Sequence, residues 1–234
     1  MLLVLSCSGG SDKPSGRTLE AAIASNDPQA ILQDASLRKS DLPPGFVIAS
    51  SQLSTNEQAA SGSVLSTRDE ALQRFKTNGR ILSLDAEYHP EDLAGRLTSP
   101  DAALVAVQVS VTLYGSNGGG MAAFRFGHDA ADRWEEWYLT ALKNSPNFTN
   151  VRSVDSPSIN AGDESFSFAF TGDVITGEGA APVPLNYEFV GLRRGPFLAV
   201  LLVGATYESP APERLRLATV LVARFDDAIR KLTR

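Results

Sequence analysis

The run from Glu164 to Ala205 constrains this chain most, because it reads as three strands folding back on one another. In ESFSFAFTG, Phe166, Phe168 and Phe170 alternate with Ser and Ala; PLNYEFVGLRRG follows, and then PFLAVLLVGAT, which is almost unbroken apolar. Alternation at period two marks a strand with one wet face, and a solid apolar run suits a central strand covered on both. Arg193-Arg194-Gly195-Pro196 supplies a tight turn between the last two, since Gly tolerates positive φ and Pro is barred from a sheet interior. Connections this short can join only antiparallel neighbours.

The rest of the chain reads as cover for that sheet and extensions of it. Leu19, Ile23, Ile31, Leu32 and Ala35 predict a helix broken at Asp27-Pro28, where Asp caps and Pro restarts, and SDLPPG at 40–45 stops it. A first strand is expected from Phe46 to about Leu53, then loop over 54–66. Thr67 with Glu70 forms a capping box opening a helix with Ala71, Leu72 and Phe75 inward, closed by Asn78-Gly79. Arg80–Tyr88 and Ala102–Tyr114 alternate as second and third strands, separated by a charged loop over 90–100. Gly115–Gly120 is expected to be a turn. It lacks the lysine of a P-loop and the spaced glycines of a dinucleotide fingerprint, so it predicts no phosphate site. Met121–Phe126 fits either a helical turn or a strand.

A long helix is expected from about Asp129 to Lys143, with Ala130, Trp134, Trp137, Tyr138, Ala141 and Leu142 at helical spacing. Phe148–Val154 is a candidate fourth strand. After the three strands, Pro210 and Pro212 open a C-terminal helix whose inward stripe reads Leu215, Ala218, Leu221, Val222, Phe225 and Ile229, with Glu213, Arg216, Asp226 and Lys231 facing water. The fold class predicted is α+β: residues 17–234 as one domain, with a single antiparallel sheet of about five to seven strands and amphipathic helices packed on it.

At 234 residues, with 43% hydrophobic and 21% charged residues, the chain can bury a substantial core without staples. A net charge of −6 and scattered basic residues argue against a nucleic-acid surface. One cysteine excludes an internal disulfide, and two histidines leave little for zinc or nucleophilic catalysis. His89 beside Tyr88 and Pro90, and His128 after Gly127 at an expected helix start, lack any nucleophile elbow nearby. The carboxylate pairs Asp85 with Glu87, Glu91-Asp92, Asp163-Glu164 and Asp226-Asp227 read as solvated acidic surface rather than glycosidase chemistry. No catalytic residue, metal ligand or cofactor is therefore assigned.

Val4-Leu5-Ser6-Cys7 resembles a bacterial lipobox, in which an aliphatic and a small residue precede the cysteine that becomes lipidated. SGGSDKPSG follows, so residues 1–16 read as a shortened lipoprotein signal with a flexible tether. An export signal needs a basic n-region and an apolar stretch of about seven to fifteen residues. Four apolar residues lie between Met1 and Ser6, so Met1 is not expected to be the natural start.

DLPPGF after a helix, Gly79-Arg80 at a strand start, Gly162-Asp163-Glu164 before a strand, the Leu-Arg-Arg-Gly hairpin and a C-terminal amphipathic helix give the order of parts over about residues 30–232. That order resembles uncharacterised bacterial lipoproteins. It is also similar to the sensor-like lipoproteins of actinobacteria and the extracellular domains of their receptor kinases, which resemble the PsbP-like fold. The resemblance implies a non-enzymatic extracytoplasmic domain, anchored to the bacterial membrane through a lipid on Cys7 and binding or sensing a ligand at the cell envelope. It brings no catalytic residues to carry over. The Trp134–Leu142 stripe reads first as core packing against the sheet; in the second reading a concave sheet with a helix across it suits a small apolar ligand, and Trp134, Trp137, Tyr138 and Tyr187 are the candidates for the pocket wall. The alternatives are an interaction subunit of an envelope protein complex and, as a third reading, a hydrolase.

Overall fold

The structure is a computed structural model that describes residues 18–177 and 179–234. Cys7, its lipobox and the tether lie outside the described residues. Within these residues the chain forms eight α-helices and one seven-stranded antiparallel sheet, the α+β arrangement expected. The strands are β1 (Phe46–Ser54), β2 (Arg80–Pro90), β3 (Leu104–Tyr114), β4 (Phe148–Val154), β5 (Glu164–Val174), β6 (Val183–Arg194) and β7 (Phe197–Thr206). Their spatial order is β1-β2-β3-β7-β6-β5-β4. The unbroken apolar run thus occupies the middle of the sheet, between β3 and β6.

Helices α1 (Leu19–Ser25), α2 (Pro28–Ala35) and α8 (Ala211–Leu232) cover one face of that sheet. Here Val107, Val109, Val111 and Leu113 of β3 meet Phe197, Ala199, Leu201 and Val203 of β7, under Leu217, Leu221 and Phe225 of α8. The Phe197 and Phe225 rings stack at 5.0 Å. Each such side chain contributes about 1.5–3 kcal/mol by leaving water. The inward stripe of α8 is Arg214, Leu217, Ala218, Leu221, Phe225 and Ala228, whereas Leu215, expected inside, is 48% exposed. Of the residues expected to face water, Asp226 pairs with Arg194 and Lys231 with Asp34.

Helices α3 (Asn56–Ser61), α4 (Arg68–Thr77), α6 (Asn117–Asp129) and α7 (Ala131–Lys143) lie on the opposite side, and α5 (Leu93–Thr98) links β2 to β3. Two stretches expected as loop, 54–66 and 90–100, therefore contain a short helix each. Thr55 and Gln58 form the capping box of α3, and Asp92 accepts from the Gly95 N–H to start α5. The Gly115–Gly120 stretch is the larger correction, because Ser116 caps α6 and three glycines form its first turn. A Cβ on Gly119 would stand 2.0 Å from the Asn78 carbonyl oxygen, and one on Gly120 would stand 3.0 Å from that of Gly195. The glycines let a helix end press onto two turns, which outweighs their poor helix propensity. His128 accordingly lies in the last turn of α6, not at a helix start, and α7 begins two residues later than expected.

Candidate functional site

The two faces of the sheet differ in chemistry strand by strand. On the α8 side β2 presents Leu84, Ala86 and Tyr88; on the other side it presents Ser83, Asp85 and Glu87. Gln108, Ser110 and Thr112 of β3 continue that polar strip in register with Glu87, Asp85 and Ser83. In β5, β6 and β7, by contrast, this second face is apolar: Phe166, Phe168, Phe170, Tyr187, Phe189, Val200 and Leu202 form a cluster beneath Trp134, Tyr138, Leu139 and Leu142 of α7. Phe168 and Phe189, direct cross-strand partners, stack at 4.2 Å. α3 and α4 stand over β1 and β2, while α6 and α7 stand over the far half of the sheet.

Between these helix pairs lies a groove of about 530 Å³. Its floor is the polar strip of β2 and β3, and its wall is Phe124, Trp134, Tyr138, Phe166, Phe189 and Val200. A neighbouring hollow of about 250 Å³ shares Asp85, Ser110, Tyr138 and Val200 and extends toward Glu87 and Gln108. Of the four candidate pocket-wall aromatics, the groove is lined by Trp134 and Tyr138. Trp137 is instead 40% exposed on the outer side of α7, its ring edge-on to Tyr138 at 4.9 Å. Tyr187 lies flat over Gly204, where a Cβ would stand 2.7 Å from its ring, and stacks on Phe170 at 5.1 Å. The helical spacing identified the α7 stripe, but not which aromatic the neighbouring strands would cover.

Phe166 repeats the device of Tyr187. Its direct cross-strand partner is Gly191, and a Cβ there would come within 2.3 Å of the Phe166 ring. The missing side chain lets the ring lie across β6 and become part of the groove wall.

The end of the groove nearest the β2 start and the β3 end is cationic. Arg80 and Tyr114, direct cross-strand partners, both line it, as does Arg74 of α4. Arg80 is 7% exposed and donates to Asn56 Oδ1 at 2.7 Å, Ser83 Oγ at 2.7 Å and the Ser54 carbonyl at 3.2 Å, all neutral acceptors. Its guanidinium also stands 5.0 Å from the Phe75 ring centroid. Arg74 lies over Phe126 at 3.8 Å and donates to Ser66 Oγ. Among the described residues neither arginine has a carboxylate within ion-pair distance. Burial lowers the pKa of both guanidiniums and pushes the Tyr114 phenol up to about 12. The Tyr114 hydroxyl, on a residue only 5% exposed, has no hydrogen-bond partner among the described residues. Asp85, accepting from Ser54 Oγ at 2.7 Å, is the one carboxylate lining the groove among the described residues.

Among the described residues the two histidines are not brought together, and neither hydrogen-bonds a serine, threonine or cysteine. His89 Nδ1 lies 2.8 Å from the Pro90 carbonyl, which can only accept, so that nitrogen carries a proton. His128 is exposed and its Nδ1 lies 3.4 Å from Asp129. Among the acidic pairs, Asp163 and Glu164 bind Arg193, Asp163 also binds Arg194, and Asp227 binds Arg230. No group of three or more His, Cys, Asp or Glu that could hold a metal occurs among the described residues, and no described helix is long and apolar enough to cross a membrane.

Sequence reasoning missed Arg80 and Tyr114 because each stands at the end of a strand, where a charged or phenolic residue is ordinary. It also missed the buried Arg214, which takes a place in the apolar stripe of α8.

No protein-family model matches the chain, and no curated protein matches it in sequence. Among solved structures it is similar to the extracellular domain of PknH from Mycobacterium tuberculosis, at 10% identity and a TM-score of 0.43, over 88% of this chain and 97% of that one. That likeness is distant and assigns no residue a role.

Proposed function

We propose that this chain is a non-enzymatic ligand-binding or sensing domain of the bacterial cell envelope, with a PsbP-like arrangement and a lipid anchor on Cys7. The groove of about 530 Å³ carries the reading, because an apolar wall facing a few polar groups is the usual build of a small-molecule site. Trp134 and Tyr138 supply apolar area from α7, and Ser83, Asp85, Ser110 and Thr112 supply the opposing polar strip. The extracytoplasmic address rests on the lipobox-like Val4-Leu5-Ser6-Cys7 and the tether after it.

Native mass spectrometry of the full chain purified from its own organism tests the ligand reading. A retained small molecule, lost on unfolding, is the expected result; an empty protein recovered with envelope proteins would replace it with the interaction-subunit reading. Hydrolysis of generic esters, peptides and glycosides should be negligible and unchanged in His89→Ala and His128→Ala. Expression from the native gene in a bacterial host, followed by membrane fractionation, tests the anchor. Membrane association that disappears in Cys7→Ser is expected, because acylation is what would hold an acidic chain to the bilayer. Recovery wholly in the cytosol with an unmodified N-terminus would refute it.

A further inference from the structure

We infer that the groove selects an amphipathic oxyanion: a carboxylate or phosphate head held by Arg74, Arg80 and the Tyr114 hydroxyl, with an apolar tail along Phe166, Phe189 and Trp134. This inference rests on the ligand-binding reading above and adds the class of ligand. The first observation is the uncompensated positive charge. Buried charges are ordinarily paired, yet Arg80 is more than nine-tenths buried with only neutral acceptors, and Arg74 sits on an aromatic ring beside it. The protein carries a net charge of −6, but among the described residues the groove is lined by two arginines against the single carboxylate of Asp85.

The second observation is independent of charge. Tyr114 is 5% exposed, its side chain lines the groove, and its hydroxyl meets no acceptor among the described residues. That hydroxyl is not one of the fully buried atoms left without a partner, so it opens onto the groove. A tyrosine phenol is protonated at neutral pH, so this one can donate to an acceptor in the groove. Arginine presents a planar fork of N–H groups that fits a carboxylate or a phosphate.

Asp85 fixes the direction in which such a molecule lies. It stands on the floor farther along β2 from Arg80, in register with Ser110, so a second negative group there would be repelled. The apolar wall begins beside Arg74 at Phe126 and continues through Phe124, Phe166 and Val200 to Tyr138. One anionic head and one uncharged tail satisfy both constraints. A cation would find Asp85 but would face two guanidiniums.

The test uses the full chain and three probes with a ten-carbon alkyl tail, undecanoate, decyl phosphate and decanol, titrated calorimetrically below their aggregation concentrations. Trp134 emission in a Trp137→Phe background reports occupancy of the groove. Binding of undecanoate or decyl phosphate at least tenfold tighter than decanol is the expected result, and whichever acid binds better identifies the head. Arg74→Met and Tyr114→Phe keep the shape of the site and should each weaken the acids severalfold while leaving decanol unchanged. Equal binding of decanol and the acids, or equal weakening of both by the variants, would overturn the oxyanion inference and leave the groove reading standing. Failure of all three probes to bind would overturn the groove reading and this inference with it.

Discussion

Arg214 Nη1 lies 2.8 Å from Glu188 Oε2, and the two side chains are 1% and 4% exposed. Glu188 also accepts from Ser156 at 2.9 Å and Ser209 at 3.0 Å, while Arg214 Nη2 donates to the Pro157 carbonyl at 2.8 Å. The pair therefore ties α8 to β6 and to the segments that enter β5 and leave β7. The Arg214 Nε–H has no partner among the described residues, and burial lowers the guanidinium's pKa. Removing one partner of such a pair strands the other charge. Glu188→Ala should thus cost about 3–5 kcal/mol in urea unfolding. Arg214→Met combined with Glu188→Leu should cost clearly less than Glu188→Ala alone. A loss in the double variant equal to the two single losses together would show that the pair is not coupled.

The aromatic rings laid over glycines give a second prediction. Gly191→Ala drives a methyl into the Phe166 ring, and overpacking of this kind costs roughly 1–3 kcal/mol. Phe166→Ala removes the obstacle, so the double variant should be less destabilised than the sum of the single ones. Additive losses in denaturant melts would mean that the ring does not need the gap. Both residues line the groove, so Gly191→Ala should also weaken any ligand of its apolar wall.

Much of this architecture was legible because period-two patterns are written into β2, β3 and β5, because the unbroken apolar run of β7 marks a central strand, and because capping boxes and prolines mark helix ends locally. The first turn of α6 was not legible: Gly118–Gly120 carry the composition of a turn, and the reason for Gly119 and Gly120 is contact with Asn78 and Gly195 from distant parts of the chain. Leu215 is expected in the inward stripe and Leu217 is not, although two positions on a helix lie about 200° apart; Leu217, four residues before Leu221 and eight before Phe225, is the one that is buried. The groove was half legible. Trp134 and Tyr138 stood out as aromatics on a stripe, whereas Arg80 and Tyr114 matter through pairing across two strands. The motifs Gly162-Asp163-Glu164 and Leu-Arg-Arg-Gly stood out in the sequence, but their meeting in one ion-pair network belongs to tertiary structure.

Alkaline pH should unfold the protein through its buried tyrosines. Burial pushes the phenols of Tyr114 and Tyr187 up to about 12, from 10.0 for a free tyrosine. A raised folded-state pKa means that the native state holds its proton more tightly. The stability linked to that proton is therefore full below pH 10 and is lost as pH rises through about 12. Each group contributes a slope of up to about 1.4 kcal/mol per pH unit in that window. Tyr187→Phe keeps the stack on Phe170 and should flatten the alkaline limb of a urea-midpoint titration. An unchanged limb in both Tyr187→Phe and Tyr114→Phe would assign alkaline unfolding to other groups.

The acid limb should respond to Asp163. Burial acts to raise the pKa of this carboxyl, but the Gly195 N–H, Arg194 and Arg193 outweigh it and hold the pKa below its ordinary value of 3.8. Asp163 accepts from the Gly195 N–H at 2.9 Å and lies 2.7 Å from Arg194, which in turn binds Asp226 of α8 at 2.7 Å. Gly162 allows the approach, with φ at +73° and a Cβ position only 2.3 Å from the Arg193 carbonyl oxygen. A depressed folded-state pKa gives stability that is present above 3.8 and is lost as pH falls through the lower folded value. Asp163→Asn should therefore destabilise the protein at neutral pH by roughly 1 kcal/mol, since the site is partly open to water and its charges are screened. At pH below the folded-state pKa, variant and parent should converge, because the parent carboxyl is then protonated. A gap between their urea midpoints that stayed constant from pH 7 to pH 2 would show that the loss is steric and not electrostatic.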